Sequence, residues 1–213
     1  MGILDFLNTS NIELKVDDTT IEKIIVSDSA YPILPNRFEK QVAKYISLNM
    51  QDGPWLAGGA VRKIFTNETI GRSDYDIWCS SETQKLKIAK LLNSATGSVY
   101  KSDKATSFSF FTKDKQRYDI QLINEVFETP EDLLNSFDFT ICQCLTDGNT
   151  YKFGENTLKD INSKTIRLVT EPRATLIPRI IKYTMYGFHI SPEILELLKD
   201  SNQNIQWIGQ NGY

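Results

Sequence analysis

Apolar residues along this chain recur at two periods, and the switches between them mark out its elements. Phe38, Val42, Tyr45 and Ile46 keep the 3.6-residue spacing and predict a helix over about 36–50, after Pro32 and Pro35. Asp52-Gly53-Pro54 is a turn, and Trp55-Leu56-Ala57 reads as a short strand running into Gly58-Gly59 and a helix over 60–65. A second strand is predicted over 75–79, then a helix to about 93, capped by Ser80 or Ser81 and carrying Leu86, Ile88, Ala89, Leu91 and Leu92. Strand-like runs follow at 98–101, 106–111, 118–123 and 139–145, with a short helix opened by Pro130 over 130–135. Further helices are predicted near 155–162, 172–186 and 191–200, and Pro178 gives the second of these a kink or a late start. Strands interleaved with helices, then a helical tail, predict an α+β head over residues 1–150 and a small helical neck over 151–213. Residues 1–35 carry no clear element.

Composition narrows the class without naming it. The chain has 213 residues, 40% of them hydrophobic and 24% charged, as in ordinary globular proteins. No apolar run reaches the length of a membrane span, and the start lacks the basic and apolar regions of a secretion signal, so a cytoplasmic location without a membrane partner is expected. Cys79, Cys142 and Cys144 have no zinc-type spacing and read as buried structural thiols, the last two on one face of a strand. The net charge of −3 excludes a nucleic-acid binder that works through bulk charge. Locally, Lys164, Arg167, Arg173, Arg179 and Lys182 are set against the single acid Glu171, a segment suited either to a triphosphate or RNA backbone or to a solvated helix face.

The stretch from Trp55 to Trp78 carries candidate chemistry. A strand ending in two glycines and passing into a helix leaves backbone amides for an anion, and Arg62, one turn on, can add a charged fork to phosphate. Taken alone, Gly58-Gly59 is also an ordinary tight turn. Asp74 and Asp76 are two apart on a strand and so share a face, an unfavourable pairing unless a cation lies between them. Mg²⁺ or Mn²⁺ suits such a pair, and two metals can activate an attacking hydroxyl and stabilise departing pyrophosphate. A solvent-facing strand with two acids has the same sequence. Asp119, on the face that Tyr118, Ile120 and Leu122 leave, is the candidate third carboxylate, whereas Asp103 and Asp114 read as loop acids. His189 is the single histidine and reads as packed or surface rather than catalytic. Trp55 and Trp78 read as core, and Tyr183 and Tyr186 as either base-stacking or core-facing rings.

Taken together, these segments resemble a known family. Gly58-Gly59-Ala60-Val61-Arg62 followed by Asp74-Tyr75-Asp76-Ile77 resembles the signature of the DNA polymerase beta-type nucleotidyltransferase superfamily, in the version of tRNA CCA-adding enzymes and bacterial poly(A) polymerases. Asp138-Phe139-Thr140-Ile141, the segment 154–161, and Arg179-Ile180-Ile181-Lys182-Tyr183 closing on Gly187-Phe188 resemble later motifs of those enzymes, in the same order. The resemblance implies a head with a mixed β-sheet flanked by helices, Mg²⁺ (or Mn²⁺) on Asp74 and Asp76 with Asp119 as third ligand, and Gly58, Gly59 and Arg62 holding the triphosphate. Asp138, Arg179 and Lys182 become nucleotide contacts, or else ties between head and neck. The chain departs from the pattern at Lys63, where the family has an acid, at Ser136-Phe137, where it has two arginines, and at Cys142, where it has asparagine. Only Glu171-Pro172-Arg173 lies near the place of the family's base-selecting motif, so the choice of ATP or CTP does not carry over.

The activity implied is template-independent transfer of NMP from an NTP to an acceptor hydroxyl with release of pyrophosphate. The acceptor would be a tRNA or other RNA 3′ end, or a nucleotide or protein hydroxyl. Because little chain follows Phe188, a compact relative of the kind encoded by phages is expected, working in the host cytoplasm. The alternatives are a non-catalytic nucleotide- or tRNA-binding protein on the same fold, and a nucleotidyltransferase toxin.

Overall fold

The computed structural model describes residues 23–24, 45–66, 74–96, 98–111, 115, 117–171 and 175–199. Its centre is an eight-stranded sheet. In chain order the strands are β1 (Lys23–Ile24), β2 (Trp55–Ala57), β3 (Tyr75–Cys79), β4 (Val99–Lys101), β5 (Ala105–Phe111), β6 (Arg117–Val126), β7 (Cys144–Thr146) and β8 (Tyr151–Phe153). In space they run β1-β8-β7-β2-β3-β6-β5-β4. Only β3 and β6 pair in parallel, so the sheet is mixed. Among the described residues the helices are α1 (Gly59–Thr66), α2 (Glu82–Ala95), α3 (Pro130–Ser136), α4 (Thr157–Asn162), α5 (Leu176–Met185) and a further helical stretch over 192–199, with a 3₁₀ turn at Thr140–Cys142. The fold is α+β, a mixed sheet flanked by helices. β8 lies beyond residue 150 but within the sheet, and the helical layer follows it.

Alternation on β3 and β6 decides which face is covered. Tyr75, Ile77, Cys79, Ile120 and Leu122 are buried with Val61 of α1 and Ile88 and Leu92 of α2 in the main core. Burying side chains of this size contributes about 1.5–3 kcal/mol each. α2 begins as predicted, with the Ser81 hydroxyl accepting from the Gln84 amide. Thr129 caps α3 in the same way, with Pro130 in its first turn. A second core joins the 3₁₀ turn to α4 and α5 through Phe139, Ile141, Cys142, Ile161, Ile180, Tyr183 and Phe188. Phe65 packs against both cores, which couples the neck-like layer to the sheet. α5 starts late, with Pro178 in its first turn, where no helical N–H partner is lost.

Two sequence expectations are corrected. Residues 45–50 are turn and irregular chain, not the end of a helix. There the Asn49 side chain accepts from the Gln51 and Asp52 amides at 2.8 and 2.9 Å, so a local turn competes with the helical ladder. The remainder of the expected helix over 36–50 lies outside the described residues, as do Asp114, Pro172 and Arg173. The strand expected over 139–145 is divided: Thr140–Cys142 forms the 3₁₀ turn and only Cys144–Thr146 is strand. Thr140 donates to Asp160 at 2.6 Å and its carbonyl accepts from the Thr157 hydroxyl at 2.9 Å, drawing the backbone out of the sheet. Cys142 and Cys144 therefore enter different cores instead of sharing a strand face. All three thiols are free and buried.

Candidate active site

The glycine turn and the aspartate pair come together through strand register. β2 and β3 are antiparallel with Ala57 opposite Asp76, so the next residue, Gly58, turns beside the Asp76 carboxyl. Gly58 has φ +78°, a conformation that favours glycine. Its amide donates to the Cys144 carbonyl at 3.0 Å, and its carbonyl accepts from the Arg62 amide at 2.9 Å, opening α1. A Cβ at residue 58 would stand 3.8 Å from Asp76 Oδ2, while one at Gly59 would meet nothing within 4 Å. Opposite the helix-covered face, Asp76 and Trp78 are half-buried and Asp74 is exposed. These residues line a cavity of about 760 Å³ that reaches α5 at one end and the β4–β5 hairpin at the other.

The local field identifies Asp76 as the perturbed group. Burial, then the charge of Asp74, pushes its carboxyl up to about 7, although Lys182 and Arg179 pull the other way. Asp74 is raised as well, by burial and then by Asp119, with Lys182, Lys63 and Arg117 opposing. Two like charges on one half-desolvated strand face thus lie within reach of cations on α1 and α5. Among the described residues no cluster of three or more His, Cys, Asp or Glu side chains has metal-ligand geometry. A pair of carboxylates still suits Mg²⁺ or Mn²⁺, which take one or two protein carboxylates and fill their other positions with water and phosphate oxygens.

Asp119 lies on the same face of β6 as the cavity, as its alternation with Tyr118, Ile120 and Leu122 predicted. Its Oδ1 accepts from Ser109 Oγ at 2.5 Å and from Arg117 Nε at 3.1 Å. Gln121, a residue without any charge signal in the sequence, lies opposite Asp76 in the β3–β6 ladder and lines the cavity. Arg62 reaches the cavity wall but is 1% exposed. Its guanidinium is packed over the rings of Tyr183, Tyr186 and Phe188 at 4.8, 5.6 and 5.6 Å, so α1 is locked to α5.

Asp138 and Arg179 pair with each other across the two layers. The Arg179 Nε forms an ion pair with Asp138 Oδ2, and Nη2 donates to Oδ1 at 2.8 Å. Nη2 also lies 3.3 Å from the Tyr183 hydroxyl. Arg167 is held by Asp160 and Glu193 at 3.3 and 3.5 Å, and Lys164 stacks on Phe188 at 4.6 Å. Much of the basic segment 163–182 is thus occupied within the fold, and Lys182 is its residue that lines the cavity on an exposed helix position. Trp55 is fully buried, while Trp78 stands in the cavity wall. Tyr183 is buried and Tyr186 half exposed. His189 is exposed on β10 (His189–Ile190), which pairs in parallel with β9 (Thr165–Ile166), away from the carboxylates.

This architecture is that of the nucleotidyltransferase-type CCA-adding enzymes. The Thermotoga maritima CCA-adding enzyme complexed with tRNA matches with a TM-score of 0.52 at 22% identity, over 70% of this chain and 38% of the other. A CCA-adding enzyme in complex with ATP matches with a TM-score of 0.54 at 21% identity, over 79% and 40%. At such identities the likeness is one of fold. Residues 33–164 match the model of the Gabija anti-defense 2 family, and the chain belongs to that family. A curated relative, "Gabija anti-defense 2" of Bacillus phage SPbetaL7, is 29% identical over 150 residues. The match covers 67% of this chain and 36% of the relative, so the chain spans little more than a third of that protein's length.

Proposed function

We propose that the chain is a metal-dependent nucleotidyltransferase that moves NMP from an NTP to an acceptor hydroxyl, most simply an RNA 3′ end. The observation that carries this reading is the Asp74–Asp76 pair beside the Gly58–Gly59 turn in one cavity, with Lys182 and Arg179 acting on the same carboxyls. Asp74 and Asp76 would hold Mg²⁺, with Asp119 in support, and the metal supplies charge neutralisation for the triphosphate and activation of the attacking hydroxyl. Gly59 leaves the backbone open to phosphate, and Lys182 adds a positive charge facing it. The Asp138–Arg179 pair and the Arg62 ring cage fix α5 over the cavity, so that its cations are positioned before substrate arrives.

The family description and the phage relative support a biological setting in which this chemistry serves a phage against host defence, within the host cytoplasm. Incubation with each labelled NTP, Mg²⁺ and total tRNA tests the activity. Incorporation of label with pyrophosphate release is expected in the wild type and is lost in Asp76→Ala; equal signal in both refutes the reading.

A second reading, a nucleotide- or tRNA-binding protein without catalysis, is favoured by one observation. Asp119 Oδ1 already accepts from Ser109 and Arg117, and Asp74 and Asp76, not Asp119, line the cavity. Calorimetry separates the two, because a catalytic site binds NTP far more tightly with Mg²⁺ than without it, and a purely protein-built binding site does not.

A further inference from the structure

Among the described residues, five carboxylates line the cavity, and their placement decides how many cations it can hold. Asp76 stands beside the glycine turn, with Asp74 two residues before it on the same face. Asp138 pairs with Arg179 at the α5 end. Strand register sets the other two, Asp103 and Glu125, far off. From Asp76 a row of facing residues runs through Gln121 and Ser107 to Tyr100, across four adjacent strands. At about 4.8 Å per strand, Tyr100 is roughly 14 Å from Asp76. Asp103 lies beyond Tyr100, in the turn that joins β4 to β5. Glu125 follows Gln121 four places along β6, or roughly 13 Å at about 3.3 Å per residue.

Asp119 is the carboxylate that strand adjacency would make a third ligand, and it is engaged elsewhere. In the parallel β3–β6 ladder Tyr75 faces Ile120 and Asp76 faces Gln121. Asp76 therefore has a neutral amide opposite it, while Asp119 comes level with Asp74. Across the other edge of β6, Asp119 faces Ser109. Its Oδ1 accepts from the Ser109 hydroxyl at 2.5 Å and from Arg117 Nε at 3.1 Å. Ser109 is 8% exposed, so its hydroxyl would be left without this buried partner if Asp119 turned toward a metal. The Arg117 guanidinium already brings Asp119 the positive charge that a second cation would supply.

From this arrangement we infer that the site takes one divalent cation, held by Asp74 and Asp76, and that Asp119 is not among its ligands. One Mg²⁺ ion needs only one or two protein carboxylates when water and phosphate oxygens fill its other positions. Two ions about 3.5–4 Å apart need enough carboxylate oxygens to hold both. Among the described residues no further carboxylate stands beside Asp76 for that purpose. The counter-charge at Asp119 is instead built into the chain as Arg117. The inference rests on the nucleotidyltransferase reading and deepens it by fixing the number of ions and the part played by each aspartate.

The test counts Mn²⁺ bound to the full chain by electron paramagnetic resonance, with and without one equivalent of a non-hydrolysable NTP analogue. One Mn²⁺ per chain is expected with the analogue, showing the spectrum of an isolated ion. Asp76→Asn is expected to weaken Mn²⁺ binding about tenfold or more. The double variant Arg117→Gln with Asp119→Asn removes both charges of that pair at once, so the net charge near the ion is unchanged. It is expected to keep one Mn²⁺ per chain, with affinity within about fivefold of wild type. Two spin-coupled Mn²⁺ ions per chain, or a larger loss of affinity in the double variant, overturn the single-ion inference and leave the nucleotidyltransferase reading standing. No bound Mn²⁺ in the wild type, or undiminished binding in Asp76→Asn, overturns the underlying reading and this inference with it.

Discussion

Replacing Asp76 by asparagine should stabilise the metal-free protein and, if the proposed function holds, abolish nucleotidyl transfer. The Asp76 carboxyl is pushed from 3.8 to about 7, by burial first and by Asp74 second. A carboxyl displaced this far upward makes the folded state hold a proton that the unfolded chain releases. Its contribution to stability is therefore fully present below the unfolded value near 4 and is lost as pH rises through about 7. At 1.36 kcal/mol per tenfold change, the full cost of ionising the folded carboxyl at pH 8 is on the order of 4 kcal/mol. Partial exposure of the side chain lowers this to roughly 2–4 kcal/mol. Asparagine keeps the shape without the charge, so at pH 8 in EDTA the variant should melt roughly 4–16 °C above wild type, at about 2–4 °C per kcal/mol for a chain of this size. At pH 4 the two should nearly coincide. Urea titrations at pH 4, 6 and 8.5 give the profile. An advantage that is absent above pH 7, or equal at every pH, would refute the assignment of charge strain to Asp76.

Four further perturbations separate structural from functional roles. Gly58→Ala forces a left-handed backbone and should cost about 1–2 kcal/mol by thermal melting. Gly59→Ala has open space and should be neutral or slightly stabilising, yet lower NTP affinity measured by calorimetry, because its methyl group stands where phosphate must approach the chain. A double-mutant cycle on Asp138→Ala and Arg179→Ala should show a coupling of about 1–2 kcal/mol in urea, since the ion pair carries one hydrogen bond and Arg179 is a third exposed; a coupling near zero would show that the pair does not clamp the two layers. Burial pushes the Cys79 thiol up to about 12 and raises Cys142 and Cys144 too, so a thiol reagent at pH 8 should label none of the three at an appreciable rate until denaturant is added.

What could be read from the residues was what depends on local rules. Alternation in Tyr75–Cys79 and around Asp119 assigned faces correctly, because α1 and α2 cover one side of β3 and β6 while the cavity opens on the other. Capping by Ser81 and the entry of α5 near Pro178 were legible for the same reason. Lost were the features set by distant partners. Nothing near Arg62 announces that the rings of Tyr183, Tyr186 and Phe188 will enclose it, since they lie more than a hundred residues away. The 3₁₀ turn at Thr140–Cys142 depends on bonds to Thr157 and Asp160, which a strand-like apolar run conceals. Gln121 and Tyr100 escaped notice because register, not residue type, lines them up with Asp76.

Charge arithmetic at the cavity then constrains how a nucleotide can bind. Among the described residues, Asp138 pairs with Arg179, and Lys182 is the cation that lines the triphosphate end from an exposed helix position. Asp74 and Asp76 bring two negative charges, and a triphosphate brings about four more. With both carboxyls ionised, a bound triphosphate would add negative charge to negative charge in a partly desolvated site, an arrangement that one or two divalent cations would correct. NTP affinity should therefore collapse when Mg²⁺ is chelated, and Lys182→Ala should steepen that dependence on Mg²⁺. That dependence on Mg²⁺ is what the proposed metal-assisted transfer requires, and NTP affinity that survives chelation would count against it.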